Sequence, residues 1–379
     1  MKNMKKLFAL MLMMASVLFF ACSEDEDEKK FTKEEVVTEI EQVSTQMTDK
    51  LTRMEESEGM EAVEALMSLE DPFMAAVKST KQTAVLSNIK NYLLPHNYIK
   101  KDNRKTAFEA EPFNFEAWVG TYTWNNEFEK WDIQSNSPDN QIIIIFPADT
   151  TNLDNNNAKL TVYNYDEILL YYEYLPTDVD ADLYVDQTKV VDIDLTATWF
   201  DSGEYKGEPS ALNVSVYLIP FEFTGSFVHT STNASVDFAI LDEGVEFFTT
   251  GIDATWASAT DSIPSNINGY ISFFDVKFYA EVDMLNMIDV FNKMFFMTEQ
   301  QIIDALNEEI EAYIAIDGVW AADIELGLLP PTEMGGDYDI DILFVYADGT
   351  SESAIPYFEE LILEMENLFG ELDIYYSTW

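Results

Sequence analysis

The sequence predicts an α+β protein: an N-terminal helical segment, a large antiparallel β-sheet with duplicated hairpins, and helices packed on one face of that sheet. Three observations predict it. Apolar residues over 31–94 recur at spacings of three and four, the period of a helix face. From 112 to 283 the period changes to two, the signature of half-buried strands. Within that stretch a strand ending in tryptophan recurs, each time with similar text behind it. The chain then divides into 1–21, a leader; 22–30, an acidic tether; 31–111, helical; 112–283, antiparallel β with TxTW-type repeats; and 284–379, a closing α/β region.

The leader opens with Lys2, Lys5 and Lys6 and continues "LFALMLMMASVLFFA" over 7–21, with no charge. That run is shorter than the roughly 20 residues a membrane span needs and suits the apolar core of a signal peptide. Small Ala21 precedes Cys22, the single cysteine, and Ser23, Glu24, Asp25, Glu26, Asp27 and Glu28 follow it. Leader and cysteine together resemble a bacterial lipoprotein signal, although Phe19 stands where Leu is usual. The acidic block resembles the export signal of the surface-displayed lipoproteins of the Bacteroidota. The resemblance implies that Cys22 is acylated, that the protein is anchored in the outer membrane through lipid, and that it is exposed on the cell surface. Read from charge alone, the same block is a self-repelling solvated tether. An unpaired thiol is a liability in an exported protein, and acylation removes it.

Composition narrows the partners. A formal net charge of −49 argues against nucleic acid, whose recognition needs a basic footprint, and against side-chain attraction to anionic lipid. It favours solubility, divalent cations and basic partners. A hydrophobic content of 47% is enough for a packed core despite that charge. One cysteine allows no intrachain disulfide, and with only His96 and His229 a zinc site or a Ser-His-Asp triad has little to draw on.

In the helical region Val36, Ile40, Val43, Met47, Leu51 and Met54 form one face, Gly59 interrupts, and Pro72 opens a second stretch carrying Phe73, Val77, Val85, Ile89 and Leu93. The basic loop 93–105 is either a docking patch or a solvated linker. In "DIDLTATW" (192–199) Asp192, Asp194, Thr196 and Thr198 take one face, and Ile193, Leu195, Ala197 and Trp199 the other. "GTYTW" (120–124), "LTATW" (195–199) and "IDATW" (252–256) repeat. "PSALN" (209–213) and "PSNIN" (264–268) follow the second and third, with Phe223 and Phe278 at equal offsets from Pro209 and Pro264. Turns are expected at 201–210 and 242–244. Helix returns over 284–314, with Thr298 and Gln301 as a capping box and Ile302, Leu306, Ile310 and Tyr313 on one face. Strands are expected near 319–330 and 337–349, then a helix over 355–369 between Pro356 and Gly370, and a last strand at 372–379.

Four groups could carry function. Trp124, Trp199 and Trp256 could form a sugar-stacking row, but alternation puts each on an apolar face, which favours core. Asp178, Asp180 and Asp182 match positions one, three and five of an EF-hand loop. Leu183 stands where that loop needs Gly, and Lys189 where it needs an acid, so only a looser calcium site is left. Asp337, Asp339 and Asp341 read as the wet stripe of a strand. The Met/Phe-rich stretch 284–297 could take lipid, although helical spacing favours core. Seventy acids guarantee carboxylate pairs at glycosidase spacings, so such pairs carry no information. The expectation is a non-catalytic, surface-displayed lipoprotein that binds a glycan, protein or hydrophobic ligand or builds the envelope. It needs no cofactor, with calcium admitted only by the aspartates. The alternative is a periplasm-facing outer-membrane lipoprotein that binds or carries a lipid-like molecule.

Overall fold

The computed structural model describes residues 31–69, 113, 115–170, 173–203, 205–259, 261–329 and 339–357. The leader, Cys22, the acidic block, the second helical stretch from Pro72, the basic loop, Asp337, the helix expected over 355–369 beyond its first turn, and the last strand lie outside the described residues.

Helix α1 (Lys33–Glu55) forms because its apolar residues share one stripe. Val36, Ile40, Val43, Met47, Leu51 and Met54 are all buried. Thr32 closes its start: its Oγ1 accepts from the Glu35 backbone N–H, and its own N–H donates to Glu35 Oε2 at 2.9 Å. The helix breaks at Ser57, whose Oγ accepts from the Met60 N–H and caps α2 (Glu58–Ser68). Gly59, expected at the interruption, instead lies in the first turn of α2. A Cβ there would sit 2.7 Å from both the Val190 carbonyl oxygen and Leu218 Cδ1, so glycine is what lets helix and sheet approach.

Among the described residues sixteen strands follow in one mixed, mostly antiparallel sheet. They are β1 (Gly120–Asn125), β2 (Lys130–Ser135), β3 (Ile142–Phe146), β4 (Ala158–Leu170), β5 (Glu173–Val185), β6 (Thr188–Trp199), β7 (Pro209–Leu218) and β8 (Phe221–His229). Then come β9 (Asn233–Asp242), β10 (Val245–Thr255), β11 (Asn266–Phe273), β12 (Val276–Asp283), β13 (Ile310–Ile316), β14 (Val319–Leu329), β15 (Asp339–Tyr346) and β16 (Ser351–Ser353). From β3 to β16 each strand neighbours the next in sequence, a long meander. At the other end β1 pairs parallel with β3 and antiparallel with β2. Short turns with left-handed residues link many neighbours, among them Asp186–Gln187 and Glu243–Gly244. The other helices among the described residues are short: α3 (Phe115–Trp118), α4 (Met284–Lys293), a 3-10 turn (Met294–Phe296) and α5 (Glu299–Asn307). The helix expected over 284–314 therefore ends early. Ile310 and Tyr313 belong to β13, which pairs with β12 and leaves the helical period behind.

The chain clusters into two compact units. The first holds the end of α1, α2, α3, β1–β7 and the start of β8. Its core is built from the inward residues of the sheet, among them Ile142, Ile144, Phe146, Leu160 and Leu183, with Ala62, Val63, Ala65 and Leu66 of α2 also buried. On β6 the alternation is as the sequence predicts: Ile193, Leu195 and Ala197 are buried, while Asp194, Thr196 and Thr198 are exposed. On β7, by contrast, Leu212, Val214 and Val216 stay half-buried, so that strand has no fully covered face. Asp242, buried at the end of β9, takes Lys50 and Arg53 of α1 on one carboxylate oxygen, Arg53 Nη1 at 2.5 Å.

The second unit holds the start of α1, the rest of β8, β9 to Leu241 and β10–β16 with α4 and α5. Val276, Phe278, Ala280 and Val282 of β12 and Ala312, Ile314 and Ile316 of β13 form its apolar face, and Met287, Val290, Ile303 and Leu306 of the two helices are buried as well. The expected capping box at Thr298 and Gln301 is present. Asn307 locks α5 to β14, donating to the Leu326 carbonyl at 3.0 Å and accepting from its N–H at 2.9 Å. At the start of α1, Lys33 meets Glu352 at 2.6 Å, and the Tyr346 hydroxyl donates to the same carboxylate at 2.6 Å. Burial works to raise the Glu352 carboxyl, but Lys33 and Tyr346 together hold it below its ordinary value.

Candidate functional site

The second unit carries its most organised polar surface on β10–β14. Pairing is in register, with Tyr270 opposite Tyr279, Tyr279 opposite Tyr313 and Tyr313 opposite Asp323, so one row crosses four strands. Strand alternation places the row on the face opposite Phe278, Ala280 and Ile314. Tyr279 and Tyr313 stack with ring centroids 4.8 Å apart, and Tyr270 follows at 6.3 Å from Tyr279. Lys277, opposite Ser272, reaches over the Tyr270 ring at 3.8 Å and the Tyr279 ring at 4.9 Å. The row continues onto β10 at Gly251, opposite Tyr270. A Cβ at that glycine would sit 2.7 Å from Tyr270 Cε1, so the ring lies against bare backbone.

A second row runs beside the tyrosines. Asp253, Asn268, Glu281 and Glu311 stand opposite one another across β10–β13. Asn266 donates to Glu281 Oε1 at 2.5 Å. The Oδ1 atoms of Asn266 and Asn268 are shielded and have no hydrogen-bond donor among the described residues. Desolvation, and then the charge of Asp237, raises the Asp253 carboxyl above its ordinary value. Beside the stacked rings lie the carboxylates of Asp253, Glu281 and Glu311. Such a surface offers apolar contact and many hydrogen bonds along one direction.

The residues singled out in the sequence fall elsewhere. Cys22 and Ser23 to Glu28 lie outside the described residues. Trp124 is buried against Trp131, with ring centroids 5.3 Å apart. Trp199 is half-buried beside Tyr165, Val179, Leu195 and Ala197 and donates to the Pro176 carbonyl at 2.9 Å. Trp256, just past β10, is half-buried with its ring 6.1 Å from His229. Each indole thus has its own aromatic or apolar neighbourhood. Asp178, Asp180 and Asp182 lie along β5 rather than in a loop. Asp341, expected on a wet stripe, is instead buried and accepts from Ser353 Oγ at 2.8 Å.

The Met/Phe stretch divides. Met287 and Val290 are buried, as helical spacing predicts, but Leu285 is 52% exposed, Phe295 79% and Phe296 91%. The 3-10 turn after α4 breaks the helical period and turns both phenylalanines outward. In the first unit an open depression of about 450 Å³ is lined by Asn157, Lys159, Tyr184, Asp186 and Gln187.

No family model, curated protein or solved structure matches the chain.

Proposed function

We propose that this chain is a non-catalytic lipoprotein, held in the outer membrane through acylated Cys22 and displayed on the cell surface, that binds a hydroxyl-rich ligand, a glycan, on the β10–β14 face. The single observation that carries the reading is the stacked Tyr270–Tyr279–Tyr313 row beside Asp253, Asn268, Glu281 and Glu311. A sugar presents hydroxyl donors that the carboxylates accept, and C–H groups that lie along the stacked rings. In this reading α4 and α5 pack on the apolar face of these strands, opposite the tyrosine row.

The test has two parts. Intact cells treated with protease should lose the protein while a periplasmic control stays uncut, and the purified chain should bind members of a glycan panel. Tyr279→Ala, which removes the middle ring, should weaken that binding at least ~10-fold with unchanged circular dichroism. Protection of the protein on intact cells, or a panel on which nothing binds, would sink the reading.

A specific observation favours a second one, a periplasm-facing lipoprotein that carries a lipid-like molecule. Phe295, Phe296 and Leu285 together expose apolar surface next to a Met-rich helix. Protease protection, with a lipid found by mass spectrometry after gentle extraction, would select it.

A further inference from the structure

The first unit carries an arrangement that the glycan reading does not use. Strand pairing sets Asp180 opposite Asp194, Asp182 opposite Asp192, and Asp178 opposite Asp166. Aspartates facing aspartates across three strands repel, and sheets normally avoid like charges in direct register. Lys189 meets Asp192 at 3.0 Å and the Tyr163 hydroxyl donates to Asp182 Oδ2 at 2.8 Å. Asp182 is nonetheless only 5% exposed, and its Oδ1 is buried with no hydrogen-bond partner among the described residues. A buried carboxylate oxygen without a donor is costly, and a cation would relieve it; Thr161 Oγ1, on the residue opposite, is also buried without a hydrogen-bond partner among the described residues. Asp180 registers the same field: desolvation, then the charges of Asp194, Asp192, Asp182 and Asp178, raise its carboxyl above its ordinary value.

We propose that the β5–β6 face, through Asp182 Oδ1 and the facing carboxylates of Asp180, Asp192 and Asp194, binds calcium. The donors are all hard oxygens, without the nitrogen or sulfur that zinc or copper would select. Calcium accepts irregular sets of six to eight oxygens and completes them with water, whereas magnesium demands a near-ideal octahedron. Among the described residues no three acidic, His or Cys side chains already converge on one point, so binding draws in the exposed Asp180 and Asp194 by rotation about their side-chain bonds. A site assembled in this way is weak. Its dissociation constant is expected at about 10⁻⁴–10⁻³ M, the range of extracellular calcium modules.

The test titrates calcium chloride into the full chain by calorimetry and follows the thermal midpoint at constant ionic strength. Saturable binding in that range, with a rising midpoint, is expected. The Asp180→Asn/Asp194→Asn double variant should bind at least ~10-fold more weakly, and without calcium it should melt higher than the parent, because the repulsion is gone. Asp182→Asn should lose the calcium response in the same way, and Asp261→Asn, an exposed aspartate in the other unit, should keep it. A parent chain that shows no saturable heat, or a double variant that binds as the parent does, overturns the proposal. So does an equal midpoint rise on adding sodium chloride to the same ionic strength, which would mark general screening.

Discussion

Gly59 shows how a single residue sets the distance between two elements. In the sequence it reads as a helix breaker, because glycine is the poorest helix former after proline. The reason for it lies more than a hundred residues further along, in the Val190 carbonyl and the Leu218 side chain that a Cβ would strike at 2.7 Å. Gly59→Ala would gain helix propensity in isolation, yet here it forces α2 away from β6. The expected result is a loss of about 1–3 kcal/mol, read as a lower urea midpoint with an unchanged slope. A variant as stable as the parent would show that α2 is free to shift. Asp341 makes the same point: alternation correctly placed it on a strand, but only the Ser353 hydroxyl on β16 explains why that position is buried.

At the scale of elements, much was legible where one period dominates. The stripe of α1 and the alternation of β6 follow from their own residues, since each buries a single face. Register was not legible. Tyr270 and Tyr279 face one another because β11 and β12 meet at Phe274–Asp275, a turn without the Asn-Gly or Asp-Gly text that announces a tight hairpin. Tyr313 joins them only after twenty-six residues of helix and turn between β12 and β13, so no local spacing could have found the row. Ion pairs between distant elements were equally hidden. Asp242 sits in the "DEG" turn text, yet it fastens the end of α1 through Lys50 and Arg53. Asp242→Asn should cost about 1.5–3 kcal/mol, the range for hydrogen bonds to charged groups. The loss should show as a lower denaturation midpoint that extra salt does not restore, because the carboxylate is buried. A stability unchanged by the substitution would make the clamp an incidental contact.

For the whole molecule, a net charge of −49 acts on every partner before any contact forms. The proposed glycan face lies within that field and adds Asp253, Glu281 and Glu311 of its own. A neutral oligosaccharide feels little of this. A uronate- or sulfate-bearing one must approach against it, and a surface of one sign rejects like-charged partners more strongly than it rewards neutral ones. Salt separates the two, because the Debye length falls from about 30 Å at about 10 mM to about 3 Å at about 1 M. Across that span the affinity for a neutral glycan should stay within about two-fold, while that for an acidic glycan of equal length should rise at least ~10-fold. Binding assays on matched neutral and acidic oligosaccharides at both ionic strengths decide it. Preference for the acidic glycan at low salt would mean that the ligand is held by Lys277 or by a cationic group elsewhere, and not by the acidic row of this face.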